Sequence, residues 1–452
     1  MKKRFLSLGA LALAALTTVT ACGNKGGSST NTIVKFAVRN YTVEIDGWTA
    51  VVEKANELLE KDNVPVRIQL QALKVGSSWD DYYTRIAQDI SAGRNATIGR
   101  IAESHMPKMR AANLSADITD LANKLIATGE YNTTPFSGVA KEGDKYYGLP
   151  SGLQHMVIFY NKDKFDNYNK EASDADKISY PSGDWSNAST FAEIRHDAEC
   201  LTKGDGASRQ FGFSAGPFLA YAGMYAKNSG GYNIFDENGQ CKIYTQEFID
   251  VYDWLGEMLY DSRLSPNIAD SLDSGGLGKF CSGNTAMIVD GIYNLHDIMT
   301  KCKFNVGVAA IPVKENGAGG KYKSYTTNFT DCYFAARTSK HKEEDKIALE
   351  YLMKSECVKT LADYQVGGVP IKKDCVEYYF DKLQAAGLNK EACDVIKAGA
   401  NNTISVPYSS YYNDVDTEVN AKLPLWMNKD PNWTTDIFVK FIDTEMNKRM
   451  PP

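Results

Sequence analysis

The stretch Tyr146–Phe165, which reads YYGLPSGLQHMVIFYNKDKF, decides how the chain is divided. Its centre, Met156–Tyr160, is a run of five apolar residues without alternation. Such a run is typical of a strand that is covered on both faces. A Gly-Leu-Pro segment precedes the run, and the polar residues Asn161–Asp163 follow it. We expect this strand to carry the chain from one globular lobe into another, past a ligand site.

Length and charge restrict the class of protein. The chain has 452 residues, which is too long for one hydrophobic core, so two lobes or domains are expected. Hydrophobic residues make up 43% and charged residues 23%, the composition of an ordinary soluble globular protein. The formal net charge of -6 argues against a protein that binds nucleic acid through a basic surface.

The first 21 residues have the pattern of an export signal. A basic start, Met1–Arg4, is followed by the apolar run Phe5–Val19, which is shorter than the roughly 20 residues of a membrane-spanning helix. The run ends in Val19–Cys22, which resembles the lipobox of bacterial lipoproteins and predicts lipidation of Cys22. Residues 22–32 would then form a flexible Gly/Ser-rich tether that holds the folded body at the outer face of a membrane. Plain secretion, with an incidental Cys22, is the alternative.

Eight further cysteines follow Cys22, and none of them forms a Cys-x-x-Cys pair. An even number in an exported chain permits disulfides, although buried free thiols are an equal alternative. Cys375 and Cys393 are the best local candidates for a bridge. The five histidines are scattered and form no metal-binding motif, so we predict neither a metal site nor a cofactor.

Alternating strands and helices predict an α/β fold. Ile33–Val38 is typical of a strand, and Gly47–Lys61 is typical of an amphipathic helix before a second strand. In sheets of this kind ligands bind beyond the carboxyl ends of the strands. The loop after the first strand therefore offers Tyr41 and Trp48 as aromatic faces and Glu44 or Asp46 as hydrogen-bond acceptors. The alternative for Trp48 is that it starts the buried face of the helix.

The segment Phe280–Gly291 repeats the pattern of the first stretch, with a turn, a short apolar strand and a polar exit. It is predicted to be the return crossing between the lobes. The predicted first lobe therefore comprises residues 33–155 and 289–330. The predicted second lobe comprises residues 156–288 and 331–452.

In this order the motifs resemble the extracellular solute-binding proteins of ABC transporters, in the sugar-binding group that includes maltodextrin-binding protein. The resemblance rests on the lipobox, on Tyr147–Pro150 leading into Tyr160–Asp163, and on Asp184-Trp185 before a helix that begins with a capping box. Phe280–Gly291 is similar to the family's F-x-x-G-x-x-A-M-x-x-x-G. The chain departs from the family at residues 93–97, where GRNAT replaces a G-x-x-P-D turn.

The resemblance implies a two-lobe fold of the periplasmic-binding-protein type, in which hinge crossings let the lobes close over a sugar or oligosaccharide. It further implies a monomer without enzymatic activity that delivers its ligand to the membrane subunits of an ABC permease. A pyranose ring stacks on aromatic side chains, and its hydroxyls need directional partners. The resemblance implies pocket roles for Trp48, Glu103, His155, Tyr221, Tyr293 and Tyr411 or Tyr412. The full set of candidate ligand-binding residues adds Tyr41, Asp46, Asp290 and Asn328.

Three alternatives remain open from the sequence. Gly212–Gly216 reads GFSAG between a predicted strand and a predicted helix, which fits the nucleophile elbow of a serine hydrolase using Ser214. A glycosidase would need paired carboxylates, which a sequence cannot bring together across a fold. A binding protein for a peptide or a polyol is the third, because a fold does not fix its ligand.

Overall fold

The computed structural model describes residues 31–450, except residues 76–77, 95–96, 139, 215, 237–239, 267–274, 318 and 407. The predicted export signal and the predicted lipidation site Cys22 lie outside the described residues, as does most of the predicted tether. Within the part of the chain that is described, no helix combines the length and the apolar character needed to cross a membrane.

The strands are numbered in chain order. They are β1 Thr32–Arg39, β2 Val66–Leu73, β3 Ile98–Ile101, β4 Lys141–Glu142, β5 Lys145–Tyr146, β6 Leu149–Pro150, β7 Gln154–Asn161, β8 Phe211–Ser214, β9 Thr285–Gly291, β10 Val306–Ala309, β11 Glu315–Asn316, β12 Gly320–Lys321, β13 Thr326–Phe329, β14 Cys332–Ala335 and β15 Thr403–Ser405.

The α-helices are numbered in the same way. They are α1 Thr42–Lys61, α2 Trp79–Ser91, α3 Met106–Ala111, α4 Thr119–Ala127, α5 Lys162–Glu171, α6 Phe191–Leu201, α7 Leu219–Lys227, α8 Gln246–Gly256, α9 Gly275–Cys281, α10 Leu295–Lys301, α11 Lys342–Leu352, α12 Ser355–Asp363, α13 Val376–Ala385, α14 Lys390–Gly399, α15 Tyr412–Met427 and α16 Thr435–Arg449. Short helices of other types are Glu103–His105, Thr134–Ser137, Gly206–Ser208, Glu257–Asp261, Ile292–Asn294 and Lys373–Cys375.

The first lobe is built on a five-stranded sheet with the order β2-β1-β3-β14-β6. β1 and β2 are parallel along their whole length, from Thr32↔Val66 to Arg39↔Leu73, and α1 connects them. The predicted βαβ unit is therefore confirmed. α1 buries its apolar face, including Trp48, on β2 and against α11 and α12.

α1 begins at Thr42, five residues earlier than the predicted start at Gly47. Glu44 lies in the first turn, where the helix dipole favours a carboxylate. The predicted loop is therefore short. Tyr41 directly precedes the helix, whereas Asp46 and Trp48 lie on it.

The second lobe is built on a larger sheet with the order β15-β13-β7-β9-β8, and β10 also pairs with β7. Every residue of β7 is buried, so the predicted cover on both faces is confirmed. α6 packs against β8, and its predicted capping box is present. The Thr190 hydroxyl accepts from the Glu193 N–H at 3.1 Å, and the Glu193 carboxylate accepts from the Thr190 N–H at 2.6 Å.

The chain passes between the two sheets at three places. Residues 151–153 connect β6 to β7, residues 330–331 connect β13 to β14, and residues 386–389 connect α13 to α14. In the first of these crossings, a Cβ added to Gly152 would lie 2.0 Å from the Gly367 carbonyl oxygen. A glycine is therefore required where this crossing meets the rest of the chain.

The prediction of a return crossing at Phe280–Gly291 is wrong. β9 is hydrogen-bonded on one side to β7, from Met156↔Gly291 to Tyr160↔Met287, and on the other side to β8. The strands and helices are consequently divided between the two sheets differently from the predicted lobe boundaries. Residues 289–330 contribute β10 and β13 to the larger sheet, whereas β14 and the helices α11 to α13 belong with the five-stranded sheet.

Candidate ligand site between the lobes

A buried network of charges lies where strands of the five-stranded sheet end. The Arg100 guanidinium on β3 donates to Glu44 Oε2 at 2.7 Å and to the carboxylate of Asp331 in the second crossing. Arg39, the last residue of β1, donates to Glu44 Oε1 at 3.3 Å. Burial acts to raise the pKa of Glu44, but Arg100 and Arg39 outweigh it and hold the pKa below its ordinary value. The network thus pairs two cations with two carboxylates and ties the first lobe to a crossing.

Aromatic rings lie against both guanidinium groups. Arg39 is 4.4 Å from the ring centroid of Trp79 and 5.0 Å from that of Tyr41, and Arg100 is 5.1 Å from that of Trp48. These distances are those of cation–π contacts. Tyr41 is exposed and Trp79 is half-buried, so both can present part of a ring to solvent beside the charged network.

Trp48, one of the residues predicted on this side, does not reach the network's open face. Trp48 is fully buried and packs edge-on against Phe36 and Tyr333, with centroids 5.6 and 6.0 Å apart. Its ring is therefore part of the core of the first lobe. Asp46 is exposed on α1.

Glu103 lies between the first lobe and the second crossing. It is 4% exposed, and its carboxyl accepts a hydrogen bond from the backbone N–H of Thr330. Burial raises the pKa of Glu103 to about 8, although the Thr330 N–H acts in the opposite direction. The Thr330 hydroxyl in turn donates to Asn328 Oδ1 at 3.2 Å. Two predicted site residues, Glu103 and Asn328, are thereby joined through the crossing.

The cavity around these residues has a volume of about 10 Å³. This is about the space of one water molecule, too small for a sugar ring. Entry of a sugar here therefore requires the lobes to move apart. The cavity is lined by Glu103, Pro135, Gly138, Ala140, Asn328, Thr330, Cys332 and Ser405.

Asp290, Tyr293 and Tyr221 form a hydrogen-bonded chain in the second lobe. The Tyr293 hydroxyl donates to Asp290 and accepts from Tyr221, and Asn294 Nδ2 donates to Asp290 at 3.0 Å. Burial raises the pKa of Asp290 to about 6. The Tyr293 ring lies over Gly291, where an added Cβ would be 1.9 Å from the ring.

The environment of Tyr293 is that of a recess. Its side chain is 42% exposed, yet desolvation raises the pKa of its hydroxyl. A side chain in a concave part of the surface can be open to solvent on one face of its ring while its hydroxyl is desolvated. The ring of Phe329, next to the second crossing, is 6.2 Å away and nearly perpendicular.

Tyr408 connects the two groups. Burial raises its pKa, and Glu103 and Tyr293 both lie within electrostatic reach of its hydroxyl. Its ring packs edge-on against Tyr412, with centroids 4.8 Å apart. Tyr412 is almost completely buried, and Tyr411 is half-buried before α15. We call Glu103, Asn328, Asp290, Tyr293 and Tyr408 the interlobe site.

His155 does not belong to this group. It lies on β7, packs edge-on against Trp185 at 6.3 Å, and leaves no room for a Cβ on Gly399. Burial lowers the pKa of His155 to about 3, and neither ring nitrogen has a hydrogen-bond partner among the described residues. Its complete burial and its packing on Trp185 and Gly399 place the imidazole in the interior of the second lobe.

Sequence reasoning missed several residues of the site. Arg39 ends a strand, so the rule that nominated Tyr41 could have found it. Tyr408 belongs to a cluster with Tyr411 and Tyr412 in which the sequence indicates a stacking platform, but only Tyr411 and Tyr412 were given pocket roles. No sequence signal pointed to the ion pair between Arg100 and Asp331, because these residues are 231 positions apart.

Wider grooves lie elsewhere on the second lobe. One of about 970 Å³ is lined by Phe191, Trp254 and Tyr260 among others, and one of about 1010 Å³ lies beside Trp185. No predicted site residue lines either groove. The candidate site therefore lies at the crossings, where the predicted polar and aromatic side chains are found, and not in these grooves.

The alternative of a serine hydrolase using Ser214 finds no catalytic base in the described part of the chain. Ser214 ends β8 and is buried, and among the described residues no hydrogen bond joins it to a histidine. Activation of a serine requires such a base within hydrogen-bonding distance.

Residues 41–356 match the family model described as bacterial extracellular solute-binding protein. A maltooligosaccharide ABC transporter solute-binding lipoprotein of Streptococcus pneumoniae is 25% identical over 433 residues, which cover 90% of this chain and 88% of that protein. A binding protein of Brucella abortus is 23% identical over 359 residues, covering 78% of this chain and 80% of the other.

Solved structures have the same fold. An ABC substrate-binding protein from Listeria monocytogenes in complex with cycloalternan has a TM-score of 0.75 at 19% identity, and the match covers 92% of this chain and 98% of that one. A maltose-bound protein of T. maritima has a TM-score of 0.71 at 15% identity, with 92% and 100% covered. These matches establish the two-lobe α/β fold of periplasmic binding proteins.

Proposed function

Because this chain belongs to the bacterial extracellular solute-binding proteins, we propose that it captures a sugar or an oligosaccharide between its two lobes and delivers it to the membrane subunits of an ABC importer. The observation that carries the proposal is the hydrogen-bonded chain of Tyr221, Tyr293 and Asp290, which Tyr408 connects electrostatically to Glu103. Tyr293 offers an aromatic face to the C–H surface of a pyranose, and the carboxyl groups offer directional partners to its hydroxyls.

The charge of the site supports an uncharged ligand. Arg39 and Arg100 are paired with Glu44 and Asp331, so the network at the crossings leaves no cation over for an anionic ligand. Glu103 is itself largely protonated at neutral pH, because its pKa is about 8. The names of the similar proteins mention maltooligosaccharide, cycloalternan and maltose, which are sugars.

Ligand capture would work by closure about the three crossings. A sugar that first binds one lobe favours the closed form, because only that form touches it from both sides. The cavity of about 10 Å³ at Glu103 indicates that the lobes already meet at this point. A sugar between them would therefore hold them further apart than they are here.

The lipid anchor is part of the same proposal. Lipidation of Cys22 and the tether that follows it would keep the protein near the permease, and the pneumococcal relative is named a lipoprotein. Metabolic labelling with a fatty-acid analogue should mark the wild-type chain and not the Cys22→Ser variant. Equal labelling of both would exclude Cys22 as the lipidation site.

Thermal melting in the presence of candidate ligands tests the ligand class. The ligands are mono- and oligosaccharides, with amino acids, peptides and polyols as the competing classes. A ligand at about 100 times its Kd stabilises the fold by about 2.7 kcal/mol, which corresponds to a rise in Tm of roughly 5–10 °C. A rise with a peptide or an amino acid and none with any carbohydrate would reject the sugar assignment.

Variants of Tyr293 test the location of the site. We expect Tyr293→Ala to weaken sugar binding about tenfold or more, since about 1.4 kcal/mol of stacking or contact energy corresponds to that factor. Tyr293→Phe keeps the ring and loses only the hydrogen bonds to Asp290 and Tyr221, so its affinity should lie between those of the wild type and Tyr293→Ala. Unchanged affinity in Tyr293→Ala, measured by calorimetry, would move the site elsewhere.

A further inference from the structure

Two cysteine thiols of the second lobe lie beside each other and have no part in the proposed function. Cys281 ends α9, and Cys302 directly follows α10. The Cys302 thiol donates a hydrogen bond to the Cys281 sulfur. Their neighbours Phe280 and Phe304 pack edge-on with ring centroids 5.3 Å apart, so the ends of the two helices are packed together at this point.

The backbone is ordered on both sides of the pair. The Cys302 N–H donates to the Ile298 carbonyl at 3.0 Å and so continues the hydrogen bonding of α10. After Cys281, the Gly283 N–H donates to the Phe280 carbonyl at 2.8 Å, and Gly283 has a φ of 77°, which favours glycine. The two sulfurs are therefore held close by the fold and not by flexible loops.

The other cysteines have different surroundings. All eight cysteines after Cys22 are free thiols in this structure. Among the described residues, only Cys281 and Cys302 have thiols that contact each other. Contacts of the other thiols include those of Cys200 with His196, Cys241 with Asp443, Cys332 with Thr330, Cys357 with Val51 and Cys375 with Ser355 and Asp374.

The best local candidates from the sequence, Cys375 and Cys393, are not supported as a pair. The Cys375 thiol donates to the Ser355 carbonyl at 3.6 Å, and Cys393 is buried on α14. Spacing along the chain therefore pointed to a different pair from the one that the fold brings together.

We propose that Cys281 and Cys302 form a disulfide when the exported protein meets a disulfide oxidant, and that this bridge stabilises the second lobe. The family is extracellular, and exported proteins are exposed to oxidants that cytosolic proteins are not. Cys281 is 8% exposed and Cys302 is half-buried, so a small oxidant can reach the pair from the Cys302 side.

Thiol–disulfide exchange forms the bridge in two steps. The hydrogen bond from Cys302 lowers the pKa of Cys281, against the effect of burial, so the Cys281 thiolate is the first nucleophile. It attacks glutathione disulfide and releases one glutathione thiolate. The Cys302 thiol then loses its proton, its sulfur attacks the Cys281 sulfur of the mixed disulfide, and the second glutathione leaves. The two thiols lose two electrons and two protons, and glutathione disulfide gains both.

The bridge would close the loop of residues 282–301, which contains β9 together with Asp290 and Tyr293. Closing a loop of about 20 residues restricts the unfolded chain and raises stability. We expect the Tm to rise by about 5 °C or more on oxidation. This effect needs no ligand, so the bridge can be tested even if the proposed sugar is wrong.

Peptide mapping of the full chain, purified in detergent, tests the pairing directly. The protein is incubated with glutathione disulfide or with dithiothreitol, alkylated and digested with trypsin. Trypsin cuts after Lys279, Lys301 and Lys303, so the expected bridge joins the peptide 280–301 to the dipeptide 302–303. This linked species should appear with glutathione disulfide and vanish with dithiothreitol. Full alkylation of Cys281 and Cys302 after oxidation, or a bridge from either to another cysteine, would overturn the proposal.

Melting of variants supplies the second readout. The rise in Tm on oxidation should be lost in Cys302→Ser and kept in Cys393→Ser, which removes a buried thiol outside the pair. A rise that persists in Cys302→Ser would assign the effect to another cysteine and contradict the proposal. The peptide map of the wild-type chain decides the pairing even if a variant does not fold.

Discussion

The imidazole of His155 is held uncharged inside the second lobe, and this makes stability depend on pH. Its pKa is lowered from 6.5 to about 3 by burial. Between these values the unfolded chain binds a proton at His155 and the folded chain does not, so stability falls as the pH is lowered through this window. His155 is thus a core residue of the second lobe, in place of the predicted pocket residue.

We expect His155→Gln to flatten this dependence. An uncharged glutamine does not titrate, so the free energy of unfolding should fall less steeply than in the wild type, by about 1.4 kcal/mol per pH unit between pH 5.5 and 4. Urea unfolding at several pH values measures the slope, and the same substitution at the exposed His341 is the control. Equal slopes in the wild type and His155→Gln would contradict a buried neutral imidazole.

Glu103 produces a pH dependence of the opposite sign. Its pKa is raised from 4.5 to about 8, mainly by burial. Between these values the folded chain keeps a proton that the unfolded chain has lost, so stability from this group falls as the pH rises. A protonated carboxyl can also donate a hydrogen bond to a ligand hydroxyl, which a carboxylate cannot.

We expect Glu103→Gln, which keeps an acceptor for the Thr330 N–H, to be more stable relative to the wild type at pH 7.5 than at pH 5. The difference arises because glutamine does not titrate. Unfolding curves of both proteins at the two pH values measure it. A stability difference that is the same at both would show that the carboxyl of Glu103 is not held protonated.

At the scale of elements, the first crossing depends on close packing at Gly152. An added Cβ would lie 2.0 Å from the Gly367 carbonyl oxygen, a distance at which the backbone has to shift. We expect Gly152→Ala to destabilise the fold by about 2 kcal/mol or more and to change the ligand affinity, because the crossing moves with it. Chemical denaturation and calorimetry measure the two effects.

Gly278 provides the matched control for this substitution. It lies within α9, and no atom is within 4 Å of an added Cβ. Alanine at this position should be neutral or slightly stabilising, because it favours a helix more than glycine does. If Gly152→Ala were as well tolerated as Gly278→Ala, the first crossing would not be packed as described.

At the scale of the whole molecule, polar contacts join the lobes outside the crossings. Lys108 of α3 donates to Asp414 of α15 at 2.9 Å, and Asn413 Nδ2 donates to the Ser104 carbonyl at 3.3 Å. These contacts link the first lobe to a helix that packs in the second lobe. They therefore stabilise the form in which the lobes meet.

We expect Asp414→Ala to shift the unliganded protein toward an open form. An exposed ion pair contributes about 0.2–1 kcal/mol, and the form that this pair stabilises has no room for a sugar, so the affinity for the ligand should rise by up to about fivefold. Small-angle scattering should show a larger radius of gyration for the unliganded variant, and ligand should compact it. Glu350→Ala removes the pair of Lys124 with Glu350 inside the first lobe and should change neither quantity. Equal scattering curves for Asp414→Ala and the wild type would exclude this contact as a latch.

The sequence by itself determined the local elements and the family. Alternating apolar patterns indicated the first βαβ unit, the run Met156–Tyr160 indicated a strand buried on both faces, and Thr190 with Glu193 indicated a capped helix start. The order of short motifs was sufficient for the family, since each motif reflects a turn or a strand end that local residues specify.

Only the tertiary structure decided which strands share a sheet and which side chains share a site. The pattern at Thr285–Gly291 indicates a buried strand but not its partners, and its pairing with β7 made it an interior strand instead of a crossing. The strand pattern likewise did not show that the His155 side chain packs in the interior of the second lobe. The spacing of the cysteines did not show that Cys281 and Cys302 lie beside each other. The physical reason is that hydrophobic periodicity is a local property, whereas strand pairing, desolvation and ion pairs depend on residues that are distant in the chain, as Arg100 and Asp331 are.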